Sequence, residues 1–194
     1  RDLWERPYGR FYSLPKYLSE RGVEIHILLL SYRKSEEFST FRDGMHWHSV
    51  NVLPNPYRYY RYGLELASSH QFDWVAGFSD TYFGICADFV GRSVGAKVLV
   101  DAYDNYESYL NWCWPLHVFW RRSLRRCSVV TAAGPELLSL MRSDRSEGEA
   151  AVIEMAADPQ FTPGSKALAR DLLGLPKDKL LVTYSGSLYR NRGI

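Results

Sequence analysis

The chain has 194 residues, of which 46% are hydrophobic and 24% charged, and its 24 basic side chains nearly balance 22 acidic ones. This composition is typical of a folded domain and argues against a dedicated nucleic-acid binder, which concentrates a larger basic excess. Three cysteines without a CxxC pair argue against a disulfide framework and a cysteine zinc site.

Strand and helix signals alternate along the chain. Helical spacing of apolar residues, with proline or glycine near the ends, predicts helices at 11–22, 57–70, 82–93, 108–126, from 135 onward, and at 165–173. Short runs rich in Val, Ile, Leu and aromatic residues predict strands at 23–30, 46–53, 72–79, 97–103, 128–133, 151–156 and 180–186. The alternation predicts an α/β fold with a Rossmann-like, doubly wound, mainly parallel sheet.

Two parts of unequal size follow from this order of elements. Residues 1–150 are expected to form one Rossmann-like domain, and residues 151–194 a linker and the start of a second. The opening RDLWERPYGR has the character of a loop that follows a strand. We therefore expect the first strand of the domain to precede residue 1, so that the chain is truncated at both ends.

Short phrases in a set order carry a family resemblance. They are Leu18-x-x-Arg21-Gly22 before a strand, Val152-Ile153 with Asp158, Phe161 and Pro163, Leu173-Gly174-Leu175-Pro176, and Gly186 followed by Arg192-Gly193. In this order and spacing the chain resembles family 4 glycosyltransferases of the GT-B fold, over their amino-terminal domain and the start of their carboxyl-terminal domain.

The resemblance implies a two-domain enzyme with a cleft between Rossmann-like halves. Such an enzyme moves a hexosyl-type sugar from a nucleotide-diphosphate sugar to a polysaccharide, glycolipid or other glycan, with retention of configuration and no cofactor beyond the donor. Residues 1–150 would hold the acceptor. Most of the donor half would lie beyond Ile194, so the fragment alone is expected to be inactive.

A donor site is implied around the last glycine of the resemblance. Gly186 would let the backbone approach a diphosphate, and Ser187, Arg190 and Arg192 follow it. The family has Arg directly after this glycine, where this chain has Ser187. Without the resemblance, the same residues form an ordinary basic turn facing solvent.

The loop of residues 6–10 occupies the place of the family's glycine-rich loop, which touches donor phosphate and acceptor. Gly9 permits close approach of the backbone, Arg6 and Arg10 supply charge, and Tyr8 lies between them. No GxGxxG fingerprint is present. An ordinary surface loop is the alternative interpretation.

The end of the predicted strand 97–103 supplies the candidate catalytic residues. The family often places a histidine where this chain has Tyr103, and tyrosine is no replacement for it as a base near neutral pH. Asp104 would contact a sugar hydroxyl, with Asp101 as a second carboxylate nearby. Alternatively, Asp104 caps the next helix. Asp80, after the strand ending at Ser79, has the same placement.

His46 and His48 lie two residues apart on a predicted strand and therefore share a face. No third ligand is close in sequence, so we expect polar surface there and no metal site.

Two segments interleave aromatic and basic residues. The run at 57–62 is expected to be a solvated helix, with RNA or membrane contact as the alternative. The segment 112–126 has Trp and Phe residues and ends in four arginines. It is expected either to pack in the core or to lie on an anionic membrane.

The functional hypotheses that follow belong to different classes. The first is the glycosyltransferase, cytoplasmic or at the inner face of the membrane, with a nucleotide sugar and a glycan or lipid-linked acceptor as partners and no nucleic acid. The alternatives are a GT-B-fold nucleotide-sugar epimerase, which needs no acceptor, and a non-catalytic sugar- or nucleotide-binding module.

Overall fold

The fold is taken from a computed structural model that describes residues 2–32, 36–108, 112–143, 145, 147–158 and 161–184. The chain divides into two compact units, Arg1–Asp158 and Pro159–Ile194. The boundary that the sequence placed after residue 150 falls inside a strand of the first unit, Glu149–Val152. That strand pairs in parallel with its neighbour in the first unit.

The described residues alternate helices and strands, largely as the sequence predicts. The helices are α1 Asp2–Glu5, α2 Gly9–Ser19, α3 Tyr57–His70, α4 Thr81–Val94, α5 Trp114–Arg126, α6 Pro135–Arg142 and α7 Lys166–Leu172. The strands are β1 His26–Ser31, β2 Phe38–Arg42, β3 Met45–Asn51, β4 Trp74–Phe78, β5 Lys97–Ala102, β6 Val129–Ala132 and β7 Glu149–Val152. Tyr106–Ser108 forms a short 3-10 turn.

A four-stranded sheet, in the order β4-β5-β6-β7, is parallel throughout. Most of its buried residues are apolar, and Val100 and Val130 are fully buried. Trp120 and Leu124 of α5, Ala87 of α4 and Met141 of α6 pack with them in one core. Burial of apolar area of this kind is the main stabilising force of the domain. The predicted α/β class, a parallel sheet flanked by helices, is confirmed.

A second sheet has three strands in the order β1-β3-β2. β1 and β3 are parallel, while β2 runs antiparallel to β3. β2 was not among the strands predicted from the sequence, and therefore neither was the hairpin. Asp43 and Gly44 both have positive φ, 56° and 77°. An Asp-Gly pair with this geometry is a common two-residue hairpin turn, and it was the available signal.

Two local expectations differ from the structure. α2 spans Gly9–Ser19, where the sequence predicted 11–22, and Pro15 lies buried inside the helix. Residues 180–184, the described part of the last predicted strand, have no regular structure, and 185–186 lie outside the described residues. Among the helices of the described ranges, none combines the length and apolar character that a bilayer span requires.

Candidate active-site edge

The start of α2 meets the end of β5. Phe11, in the first turn of α2, packs edge-on against Tyr103 with 5.1 Å between ring centroids. Tyr103 directly follows β5 and in turn contacts Tyr106 at 5.7 Å. The loops that carry Gly9 and Asp104 therefore lie at the same edge, as the parallel arrangement of strands predicts.

Arg10 holds this edge together from inside. Its side chain is 5% exposed and pairs with the fully buried carboxylate of Asp101. Nε donates to Oδ2 at 3.0 Å and Nη2 donates to Oδ1 at 2.6 Å. Nη1 donates to the carbonyl of Ile153 at 2.7 Å. The positive charge that the sequence grouped with the phosphate loop is thus engaged within the domain, and its two-point geometry is the strongest form of such a pair.

Asp101 is a residue whose role the sequence did not reveal. Besides Arg10, it accepts a hydrogen bond from the hydroxyl of Thr131 at 2.6 Å, so one carboxylate joins α2, β5 and β6. A buried ion pair needs such additional hydrogen bonds to offset the cost of removing two charges from water. Asp101 lies beneath the edge and does not reach the surface beside Asp104.

Apart from Arg10, the residues of the predicted phosphate loop lie at or near the surface. Arg6 and Tyr8 face solvent, and Gly9 has a φ of +66° with open space where a Cβ would stand. α2 begins without a side-chain cap, since Tyr8 makes no capping hydrogen bond. The backbone N–H groups of this first turn, with Arg6 nearby in sequence, form a favourable setting for an anion.

Asp104 is half-buried and its Oδ1 accepts a hydrogen bond from the backbone N–H of Asn105 at 2.8 Å. The turn that follows is clamped by Glu107, whose Oε2 accepts from Nη2 of Arg121 at 2.6 Å. Arg121 also donates to the carbonyl of Leu140 at 2.8 Å. The loop is therefore fixed to α5 and α6, and Tyr103, 39% exposed, presents part of its ring to solvent.

The end of β4 adds a strained position. Ser79 has a φ of +90°, which is rare for a residue with a side chain and clusters at functional sites. Asp80 caps α4, because its Oδ1 accepts from the backbone N–H of Tyr82 at 2.9 Å and of Phe83 at 3.3 Å. Burial raises the pKa of Asp80 against these hydrogen bonds. The carboxylate of Asp80 is thus engaged in capping the start of α4.

The four predicted donor-site residues, Gly186, Ser187, Arg190 and Arg192, lie outside the described residues. The structure brings together Phe11, Tyr103 and the loop before Asn105 at the first unit's edge, with Arg10 beneath.

The chain matches no protein-family model, and no curated protein matches it. Among solved structures, it is similar to sucrose-phosphate synthase from Thermosynechococcus elongatus, with a TM-score of 0.62 and 13% sequence identity. The likeness covers 87% of this chain and 47% of that one, so the chain spans about half the length of the protein it matches. At this identity, the likeness shows a glycosyltransferase-like fold.

Proposed function

We propose that the chain is the acceptor-side half, with the beginning of the donor-side half, of a glycosyltransferase that uses a nucleotide-diphosphate sugar. The observation that carries the proposal is the structural likeness to a sucrose-phosphate synthase over 87% of the chain. One fold hosts many functions, so a specific function needs support from the site as well. That support is the edge that the Gly9 and Asp104 loops share.

Each group at the edge has a role that suits sugar transfer. A departing diphosphate needs cations and backbone N–H donors, which Arg6 and the uncapped start of α2 supply. The partly exposed ring of Tyr103 offers an apolar face to a pyranose, and Asp104 offers a carboxylate to a sugar hydroxyl. Arg10 and Asp101 position the loops without touching substrate. The acceptor is a polysaccharide, glycolipid or other glycan, and the proposed outcome is retention of configuration.

The donor contacts belong to residues beyond the described range. Gly186, Ser187, Arg190 and Arg192 are proposed to bind the diphosphate. In the full-length protein, Arg192→Ala removes a charge-assisted hydrogen bond, which costs about 1.5–3 kcal/mol of donor affinity. Calorimetry with the cognate nucleotide sugar measures the loss, and unchanged affinity would remove Arg192 from the site.

The test of the proposal is a panel of UDP- and GDP-sugars offered to the full-length protein, with and without glycan acceptors. Asp104→Asn should reduce turnover while leaving the melting temperature unchanged, because Asn retains the oxygen that accepts from Asn105. Asp73→Asn is the matched control, since this exposed residue precedes β4 at the other end of the strands and should behave as the wild type.

Each outcome selects one function. Glycosylated acceptor supports the proposal. A changed sugar without acceptor would instead identify an epimerase, and donor binding without turnover would identify a binding module. Turnover by residues 1–194 alone would show that these residues carry a complete donor site and would contradict the proposal.

A membrane contact is proposed as an accessory property of the same half. Trp112 and Trp114 are 77% and 68% exposed, and Val118 continues the exposed apolar stripe along α5. Arg122 and Arg125 are exposed further along the helix. Exposed tryptophans beside arginines are typical of a helix lying on an anionic surface. The test is co-sedimentation with phosphatidylcholine vesicles, with and without phosphatidylglycerol. Binding should be lost when both tryptophans are replaced by alanine. Equal binding by the double alanine variant would exclude this surface.

A further inference from the structure

Four of the five histidines gather where β1 and β3 begin, away from the Tyr103 loop in sequence and in sheet. His26 and His46 are register partners on neighbouring strands, and their rings stack with centroids 4.4 Å apart. His48 and His70 flank His26, with ring centroids at 5.3 and 4.5 Å. Such a gathering of imidazoles is not required by the packing of a sheet and calls for a chemical explanation.

A chain of polar contacts runs through the cluster. Oε1 of Glu24 lies 3.0 Å from Nε2 of His26, and Nδ1 of His26 lies 3.1 Å from Nε2 of His48. Nδ1 of His48 is in turn 3.0 Å from the Ser39 hydroxyl. The Nδ1 side of His26 is therefore held by protein, and its Nε2 faces the carboxylate. This is the arrangement in which metal-binding histidines are oriented, with one nitrogen fixed from behind and the other presented to the ion.

The exposures of Glu24 and His26 differ in a way that suits an ion-binding site. The side chain of His26 is 4% exposed, whereas that of Glu24 is 69% exposed, so the site is buried on one side and open on the other.

We propose that Glu24, His26 and His46 bind a divalent transition-metal ion of the Zn²⁺ type. One ligand atom from each of the three lies within 4.8 Å of the others. Atoms bound to one tetrahedral zinc lie roughly 3.3 Å apart, given bonds of about 2.0–2.2 Å. The Glu24–His26 distance of 3.0 Å already suits such a site, and rotation of the half-buried His46 side chain brings in the third atom.

The chemistry of the ligands sets the class of ion. Two imidazole nitrogens and one carboxylate oxygen suit Zn²⁺ and its transition-metal neighbours, while Mg²⁺ and Ca²⁺ prefer oxygen alone. The ion would tie the segment before β1 to β3 and so support the three-stranded sheet. This role is independent of the proposed sugar transfer, because none of its residues lies at the Tyr103 loop.

The experiment measures Zn²⁺ binding to the full chain by competition with a chromogenic chelator and by metal analysis after dialysis. We expect one Zn²⁺ per wild-type chain, a rise in melting temperature with Zn²⁺, and the absorption of a tetrahedral site with Co²⁺. Glu24→Gln is the primary variant, because its exposed side chain can be changed without disturbing the core. It should weaken binding at least tenfold, as should His46→Ala.

The control is His117→Ala, which removes the histidine outside the cluster, on α5, and should retain wild-type Zn²⁺ affinity. His48→Phe should lower the Zn²⁺ affinity about 10–100-fold, because His26 is no longer held in place. Wild-type affinity in Glu24→Gln and His46→Ala would overturn the proposal, as would an absence of bound Zn²⁺ in the wild type. Circular dichroism of each variant separates lost ligands from lost folding.

Discussion

The two sheets of the first unit differ in the kind of side chains that they bury. The four-stranded sheet buries an apolar core together with the Arg10–Asp101 ion pair, in which each guanidinium nitrogen donates a hydrogen bond to an acceptor within the protein. The three-stranded sheet packs Met45 and Trp47 in full burial, but its starting end is occupied by stacked imidazoles. The first arrangement fixes an edge in one geometry. The second leaves part of the sheet sensitive to protons and metal ions.

The largest effect is expected from the ion pair. Asp101→Ala leaves the Arg10 guanidinium buried without its partner, which should cost on the order of 3–5 kcal/mol of unfolding free energy. Urea denaturation measures it, with Asp73→Ala as an exposed control expected within about 0.5 kcal/mol of the wild type. A loss no larger than that of the control would show that water or another group takes over Arg10, and that the edge is less fixed than described.

Acid should affect the histidine end instead. The folded pKa of His48 is about 4, lowered by burial and then by the neighbouring histidines. Unfolded histidine has a pKa near 6.5, so the unfolded state binds more protons and stability falls as pH drops from about 6.5 towards 4. Each unit of difference between the folded and unfolded pKa corresponds to about 1.36 kcal/mol, so the loss of unfolding free energy is on the order of 1–3 kcal/mol.

Urea melts across this pH window, with a chelator present, measure the loss. In His48→Phe the slope should flatten, since the titrating group is gone. An unchanged slope would place the pH sensitivity elsewhere in the chain.

Two helical glycines, Gly84 and Gly63, differ in how much space surrounds them. A Cβ at Gly84 in α4 would stand 2.4 Å from Cζ3 of Trp120, so Gly84→Ala should cost about 1–3 kcal/mol. At Gly63 in α3 the nearest atom, Cδ2 of Leu28, is at an ordinary 3.4 Å. Gly63→Ala should therefore gain up to about 1 kcal/mol from helix propensity. If thermal melts showed equal changes in stability for Gly84→Ala and Gly63→Ala, they would contradict a tighter core behind the four-stranded sheet.

The smallest effect concerns the contacts behind His48. Ser39 and Tyr62 hydroxyls both lie near its Nδ1, at 3.0 and 3.3 Å. Ser39→Ala should cost only about 0.5 kcal/mol, because Tyr62 still satisfies the ring. Adding Tyr62→Phe should cost more than the sum of the single changes, since the buried nitrogen is then unpartnered. Strict additivity in a double-mutant cycle would argue against a shared partner.

Local pattern predicted the elements well and their contacts poorly. The predicted helix at 57–70 agrees with the structure residue for residue; Pro56 precedes it, and Gln71, in the left-handed conformation, follows it. β2 was missed because its five residues carry no apolar alternation, although the following Asp-Gly pair signalled the turn. The sheet class followed from alternation alone.

The candidate sites depended on distance along the chain. Arg10 and Asp101 are 91 positions apart, and no local pattern distinguishes an internal arginine from one that faces a phosphate. His26 comes beside His46 only through the register of β1 and β3, which the sequence did not define. The sequence expectation of no metal site rested on spacing along the chain, and spacing could not show that strand register places His26 beside His46.

The hydrogen bond from Arg10 to Ile153 also has a mechanical consequence. Ile153 directly follows β7, and its carbonyl is gripped by the same guanidinium that holds Asp101 in the core. Tension applied to the chain beyond Asp158 would reach this grip before it could peel the four-residue edge strand β7 from β6. The Arg10–Ile153 hydrogen bond is therefore expected to protect β7 against a pull on the chain that follows it.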